Sequence, residues 1–189
     1  MKKNRKLSFL LSCYEWMETF VIALIFVIVL FTFFIKFVTV DGSSMYSTLE
    51  SGDRLLISDL FYKPQTGDIV VVDVSKNLEE YRAYSISSGA PYIKRIIATE
   101  NQVVDIDPET WTVTVDGVPL KEDYVFRCNM DDMYIDATGK ITYPYTVSEN
   151  CVFVMGDNRN GSSDSRFIGE IHEDYILGRA FFRLAPRTG

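Results

Sequence analysis

A serine just past a long apolar run and a lysine 50 residues later are the residues of this chain best suited to chemistry. Ser44 stands directly before Met45, and Lys94 directly before Arg95. A serine hydroxyl is a weak nucleophile until a neighbouring base takes its proton. A lysine can be that base only when neutral, and its ordinary pKa of about 10.4 keeps it charged at pH 7. Because burial lowers the pKa of an amine, the pattern indicates a Ser/Lys pair if the fold buries Lys94 beside Ser44.

Other catalytic and metal-binding arrangements find less support in the sequence. His172, the single histidine, follows an Ile-Gly-Glu-Ile segment that belongs to no nucleophile signature, which disfavours a Ser-His-Asp triad. The Gly-x-Ser-x-Gly pattern of α/β-hydrolases is missing around Ser44. One histidine and three scattered cysteines have no metal-ligand spacing, so we expect neither a metal nor another cofactor. A lone strand lysine is usually solvated, so the Ser/Lys interpretation depends on the elements that hold the two residues.

An uncharged apolar run precedes the serine. Residues 19–35 contain no charged side chain, and as a helix they would span about 26 Å, slightly less than a hydrocarbon core of about 30 Å. A cleaved secretory signal usually has a shorter apolar region followed by small residues, whereas Lys36, Phe37 and Val38 follow here. A core helix would show a polar face, which this run lacks. The sequence therefore predicts a cytoplasmic basic tail over 1–17, a transmembrane anchor over 18–38 and an outer domain over 39–189.

Charge sets the expected orientation and excludes one class of partner. Four basic residues precede the run, Lys2, Lys3, Arg5 and Lys6. Positive charge stays on the cytoplasmic side of a membrane, so the outer domain would be extracytoplasmic. That domain contains 14 basic and 24 acidic residues, a net charge of about −10, which gives no electrostatic reason to bind nucleic acid. Cys13 lies on the cytoplasmic side, and a disulfide between Cys128 and Cys151 stays open.

The outer domain has the patterning of β-structure. Short β-branched or alternating runs between turn residues predict strands over 68–74, 94–98, 103–107, 111–115, 151–155 and 176–184. Pro108-Glu109-Thr110 joins the third and fourth of these runs as a hairpin. The region 123–145 is polar and aromatic with weak periodicity, and we interpret it as a less regular excursion. Strand alternation places Lys94 on the face opposite Ile93 and Arg95, so one face can bury the amine.

A polar segment near the C-terminus completes a set of four motifs. Residues 156–166 read Gly-Asp-Asn-Arg-Asn-Gly-Ser-Ser-Asp-Ser-Arg, which suits either a solvated loop or a locked polar network. The set resembles the boxes of bacterial type I signal peptidases, at Ser44–Leu49, Gly67–Val71, Tyr92–Ile97 and Gly156–Arg166. The resemblance runs from the anchor to Arg183. Lysine at position 94 indicates the prokaryotic type, because the endoplasmic-reticulum type has histidine there.

The resemblance implies a fold, an activity and a location. The fold would be mainly β, a signal-peptidase-like β-sheet catalytic domain tethered by one N-terminal transmembrane helix. The activity would be that of a serine endopeptidase that removes N-terminal signal peptides from secretory preproteins at Ala-x-Ala-type sites. The protein would cross the cell membrane once, in contact with lipid and near the secretion translocon, with its N-terminus in the cytoplasm.

The resemblance also implies roles for individual residues. Ser44 would be the nucleophile, with its backbone N–H in the oxyanion hole, and Lys94 would be the general base. Ser162 would hydrogen-bond to the lysine and aim it. Two ion pairs would brace the site, Asp157 with Arg95 and Asp164 with Arg166. Small substrate pockets would be lined by Met45, Leu49, Tyr92 and Ile93.

Three places depart from the family pattern. Ser47 replaces the usual proline, which removes a rigid φ constraint after Ser44. Gly42 stands where some members have a serine whose hydroxyl completes the oxyanion hole, so the second donor must be another group or be missing. Residues 98–102 replace a Gly-x-Pro-Gly-Asp turn, and Asn101 tolerates a left-handed conformation there.

Other functions stay open at this point. A pilus-dedicated or non-catalytic homologue that assists surface polymer assembly would keep the fold, although non-catalytic relatives lose the lysine or the serine. A self-cleaving repressor of the same Ser/Lys class would need a DNA-binding domain where this chain has its anchor. A β-domain that only binds at the membrane is the non-enzyme alternative.

Overall fold

The chain divides into two compact units, the first ending at Lys36 and the second beginning at Phe37. The computed structural model describes residues 2–73, 91–127 and 141–184. Helix α1 (Lys2–Phe33) forms the first unit, and its segment Leu11–Val29 is long and apolar enough to cross a membrane. The large apolar side chains described along this segment are exposed, which suits contact with lipid better than a place in a protein core.

Helix α1 has different bounds from the predicted anchor over 18–38. It begins in the basic tail, because no glycine or proline stands between Lys2 and the apolar run to break a helix. It ends at Phe33, and strand β1 (Lys36–Thr39) takes the place of the predicted last turn of the anchor. The aromatic and β-branched residues of β1 favour an extended backbone.

Two β-sheets make up the described part of the second unit. The larger sheet contains β1, β2 (Arg54–Ser58), β3 (Ile69–Val72), β4 (Tyr92–Ala98), β9 (Cys151–Met155), β10 (Ile171–His172) and β11 (Ile176–Leu184). Its spatial order is β1-β2-β11-β3-β4-β9-β10. The smaller sheet contains β5 (Val103–Ile106), β6 (Val113–Val115), β7 (Val118–Pro119) and β8 (Tyr145–Thr146), in the order β7-β6-β5-β8. A short helix α2 (Ser165–Ile168) lies between β9 and β10.

Apolar side chains cover both faces of strand β4, so a lysine on this strand can be buried. On one face Ile96 packs in a cluster with Val154, and on the other Ile93 packs in a cluster with Met45. The neighbouring strand β3 pairs antiparallel with β4, and Val70 is the register partner of Lys94. A residue in the middle of this sheet is therefore removed from water unless its side chain reaches a cleft.

The mainly β architecture predicted from the sequence is confirmed, and two predicted strands coincide with β9 and β11. The predicted strand over 111–115 is shorter, because Trp111 adopts a φ of 59° and its N–H donates to Asp107 O at 2.8 Å inside the turn. The Trp111 ring is buried under the smaller sheet. Val74 and the part of the predicted excursion over 128–140 lie outside the described residues.

Candidate active site

The serine lies on a loop between β1 and β2 that apolar side chains hold at both ends. Gly42 enters the loop with a φ of +94°, a conformation that glycine adopts without strain. Two hydrogen bonds then close the turn, from Tyr46 N–H to Ser43 O at 3.0 Å and from Leu49 N–H to Met45 O at 2.8 Å. Met45 and Leu49 are buried in the cluster that also contains Ile93. The loop is thereby fixed to the sheet, and half-buried Ser44 stands at its start.

Lys94 reaches this serine from β4. Its Nζ lies 2.8 Å from Ser44 Oγ and 3.2 Å from Ile93 O, and only 4% of the residue is exposed. The Tyr92 ring covers the amine, with its centroid 4.9 Å from Nζ. Burial lowers the pKa of Lys94 to about 8; the negative charge of Asp164 opposes this and the positive charge of Arg166 adds to it. The structure thus brings together a hydroxyl and an amine that is easily deprotonated.

One ion pair joins β4, the serine loop and the polar segment 156–166. Asp157 accepts hydrogen bonds from Arg95 Nε at 2.8 Å and Arg95 Nη2 at 2.6 Å, and from Thr48 Oγ1 at 2.5 Å. Burial alone would lower the pKa of Arg95, but the hydrogen-bonded Asp157 outweighs it and raises that pKa. The ring of Tyr124 lies 3.9 Å from the guanidinium carbon. Lys94 and Arg95, neighbours in sequence, therefore serve opposite faces of one strand.

A second ion pair organises the polar segment itself. Asp164 caps helix α2 and accepts hydrogen bonds from Arg166 Nε at 2.8 Å, Arg166 Nη2 at 2.9 Å and Gly156 N–H at 2.9 Å. Both side chains are almost fully buried. Burial would raise the pKa of Asp164, but Arg166 and the hydrogen bonds outweigh it and hold that pKa below its usual range. Both members of the pair therefore stay ionised, and their opposite charges act on the nearby Lys94 amine.

Ser162 lies beside the site, but it does not make the hydrogen bond to Lys94 that the sequence predicts. Its hydroxyl is buried and has no hydrogen-bond partner among the described residues. It adds to the groups that lower the Asp164 pKa, without a hydrogen bond of ordinary geometry. The second hydrogen bond of the Lys94 amine goes to the carbonyl of Ile93 on its own strand instead.

A cleft of about 380 Å³ opens over the pair. Met45, Tyr92 and Ile93 line it, as the sequence predicts, together with residues 38–43, Gly161 and Ser163. Leu49 does not; it is 3% exposed and belongs to the apolar cluster beneath the loop. Tyr92 and Ile93 pair with β3, whereas the pairing of β4 with β9 begins only at Arg95. Among the described residues, one edge of β4 beside the cleft therefore has no strand partner.

Several contributors to the site carried no role in the sequence prediction. Asn158 donates its N–H to Ser44 O at 3.0 Å and its Nδ2 to Ser43 O at 3.1 Å. Thr48 supplies the hydroxyl on Asp157. Thr48 lies inside the motif Ser44–Leu49, and Asn158 lies inside the motif Gly156–Arg166. Their position in these motifs was the sequence signal that they contribute to the site.

A strap outside the motifs, residues 122–126, also contacts the site. Glu122 forms an ion pair with buried Arg159, which donates to Gly156 O at 3.2 Å. The backbone of Phe126 forms an isolated parallel β-bridge with that of Asn158. The Phe126 ring packs edge-on against the Tyr46 ring, with the two ring centroids 4.9 Å apart. The polar and aromatic composition of the strap gave no sequence signal for these contacts.

Other sequence expectations resolve locally. Asn101 adopts a φ of 64° in the turn that replaces the family's glycine-rich one. The loop that lacks the usual proline at Ser47 is held at its far side by Arg183, which donates to Thr48 O at 2.9 Å. Cys151 carries a free, buried thiol, and Cys128 lies outside the described residues.

Comparison with known proteins assigns the family. The family model of signal peptidases, peptidase S26, matches residues 13–185. Thylakoidal processing peptidase 1 of Arabidopsis thaliana is 35% identical over 78% of this chain, which spans only 41% of that protein. Probable signal peptidase I-1 of Synechocystis is 35% identical, covering 79% of this chain and 70% of that protein. Signal peptidase I T of Bacillus subtilis is 30% identical, covering 91% and 85%.

The chain therefore belongs to the signal peptidase family S26, which confirms the family and the class of enzyme, a peptidase, that the sequence predicts. Helix α1, with its apolar segment, fits a membrane-associated member of this family.

Gly156 tests how closely the polar segment must approach the serine loop. A Cβ at this position would lie 2.5 Å from Ser44 O and 2.3 Å from Ser162 Oγ, closer than real Cβ contacts come. We expect Gly156→Ala to displace Ser44 and lower peptidase activity by about 100-fold. The matched control is Gly117→Ala, which is strained by a φ of +77° but meets nothing within 4 Å. A Gly156→Ala protein with the activity of the control would contradict the packing described here.

Proposed function

We propose that this protein is a membrane-anchored serine endopeptidase that removes signal peptides from secretory precursors with a Ser44/Lys94 pair. One observation carries the proposal, the 2.8 Å contact between Ser44 Oγ and a buried Lys94 amine whose pKa is lowered to about 8. At pH 7 roughly one in ten such amines is neutral, against about one in 2,500 at the ordinary lysine pKa of about 10.4. The neutral amine has a lone pair to accept the serine proton.

The reaction follows from these positions. Lys94 takes the Ser44 proton as the hydroxyl oxygen attacks the scissile carbonyl carbon, which gives a tetrahedral intermediate. The backbone N–H of Ser44 stabilises the negative oxygen of that intermediate. Lys94 then gives its proton to the leaving amine, and the acyl group stays on Ser44. Lys94 next deprotonates a water molecule, whose attack releases the signal peptide as a carboxylic acid and restores the serine.

The cleft supports an extended peptide with small side chains as the substrate. At Tyr92 and Ile93, one edge of β4 has no strand partner within residues 2–73, 91–127 and 141–184, and its backbone groups support the addition of a peptide strand. Met45 and Ile93 line the cleft and are themselves almost fully buried, so this part of its wall is apolar. An apolar wall supports small apolar side chains such as those of Ala-x-Ala, the pattern that precedes the cut in signal peptides.

The apolar segment of α1, which is long enough to cross a membrane, supports the same role. The span in α1 has four basic residues on its N-terminal side, so the N-terminus is cytoplasmic and the β-sheets face outward. Strand β1 follows the helix directly, and Ser44 follows β1 by few residues. The site would thus work near the lipid surface and the translocon, where signal peptides emerge.

Removal of either reacting group tests the proposal. We expect Ser44→Ala and Lys94→Ala each to lower cleavage of a precursor peptide with an Ala-x-Ala site by about 10³-fold or more, because each lacks the nucleophile or its base. Exposed Ser51→Ala and Lys121→Ala are the matched controls and should keep the wild-type rate. Mass spectrometry of the products with full-length protein in detergent gives the rates. Normal cleavage by Lys94→Ala would refute the mechanism.

The pH dependence follows from the direction of the Lys94 shift. Since its pKa is lowered from 10.5 to about 8, the active neutral form increases as pH rises through about 8 and is lost as pH falls below it. We expect kcat/KM to rise about tenfold per pH unit between pH 6 and 7.5 and to level off near pH 9. A profile that is flat from pH 6 to 9, or one that still rises steeply above pH 10, would be incompatible with a buried neutral base.

A further inference from the structure

Asn158, which has no part in the steps above, donates hydrogen bonds to the backbone carbonyl oxygens of Ser43 and Ser44, on both sides of the nucleophile. Its backbone N–H donates to Ser44 O at 3.0 Å, and its side-chain Nδ2 donates to Ser43 O at 3.1 Å. The residue is 9% exposed, and it does not line the cleft. Its hydrogen bonds to the serine loop, among the described residues, therefore go to two successive carbonyl oxygens.

The hydrogen bonds leave one orientation for the Asn158 amide. Oδ1 accepts the Gly161 N–H at 3.3 Å while Nδ2 faces the carbonyl of Ser43. A flipped amide would set its oxygen against Ser43 O and its NH₂ against the Gly161 N–H, so that two acceptors and two donors would face each other. The site also requires glycine at 161, because a Cβ there would lie 2.7 Å from Nδ2. The donor aimed at Ser43 is therefore built into the turn.

The hydrogen bond from Asn158 Nδ2 to Ser43 O fixes the direction in which the Ser44 N–H points. The peptide group between Ser43 and Ser44 is planar and trans, so its N–H points opposite to its carbonyl oxygen. That oxygen is held by Asn158 and also accepts the Tyr46 N–H at 3.0 Å. The Ser44 N–H is consequently turned away from Asn158, and it finds no acceptor among the described residues. Ser43 and Ser44 both line the cleft.

Building on the proposed function, we infer that Asn158 is a positioning residue that aims the Ser44 N–H at the oxyanion of the tetrahedral intermediate. Its role matters more in this chain because Gly42 has no hydroxyl to act as a second donor. A donor aimed at the oxyanion stabilises the transition state more than the bound substrate, so its loss lowers kcat and leaves KM nearly unchanged.

The test uses Asn158→Ser in the full-length protein in detergent micelles. Serine keeps an acceptor for the Gly161 N–H but cannot reach Ser43 O. We expect kcat to fall about 10- to 100-fold with KM changed less than about 3-fold. A peptide aldehyde ending in Ala-x-Ala, which forms a tetrahedral adduct with Ser44, should lose affinity by the same factor as kcat/KM. The midpoint of the pH profile should stay in place, because Lys94 keeps its surroundings.

Controls separate this inference from loss of structure and from failure of the proposed function. The control is Asn101→Ser, in a turn distant in sequence from Ser44 and Asn158. This variant should keep wild-type kcat and aldehyde affinity. A folded Asn158→Ser protein with normal kcat, or with reduced kcat but unchanged aldehyde affinity, overturns the inference. If thermal melting shows that Asn158→Ser is unfolded, Asn158→Asp, which sets a carboxylate oxygen against Ser43 O, must show the same kcat and aldehyde losses. Wild-type protein that cleaves no precursor peptide would instead refute the proposed function.

Discussion

The burial of one amine beside one hydroxyl is the constraint on which the rest of this structure depends. A charged amine loses its hydration when Lys94 is enclosed, so burial favours the neutral form. The negative charge of Asp164 raises the pKa of Lys94, and the positive charge of Arg166 offsets part of this increase. The balance leaves the amine with a pKa near 8, so that it can lose its proton to water and take another from serine within the physiological range.

The two groups proposed to react come from different kinds of element, and a third element holds them together. Lys94 is fixed by a central strand, whereas Ser44 lies on a loop whose position depends on its contacts. The polar segment 156–166 supplies those contacts through Asp157, Asn158 and the close approach of Gly156. Its buried ion pairs are costly to form from hydrated charges. They nevertheless join the polar segment to β4 and hold the turn before α2, so the position of the serine loop depends on them.

Much of the fold and of the site could be predicted from particular residues. The β-branched runs at 151–155 and 176–184 identify their strands, because such runs fit a pleated sheet. The motifs around Ser44 and Lys94 indicate which side chains meet. The sequence could not show that Leu49 is core rather than cleft, since both sites take an apolar side chain. It also could not show the strap contacts of Glu122 and Phe126, which depend on tertiary packing, nor that the Ser162 hydroxyl has no hydrogen-bond partner among the described residues.

The most direct test of the central claim is an NMR titration of the Lys94 side chain in the full-length protein with ¹³C-labelled lysine, assigned by comparison with Lys94→Ala. We expect one lysine resonance, absent from that variant, to titrate with a midpoint near pH 8. A Lys94 resonance that titrates near about 10.4, the ordinary value of a lysine, would contradict a buried neutral base, because the amine would then be hydrated and charged at the pH where the enzyme must work.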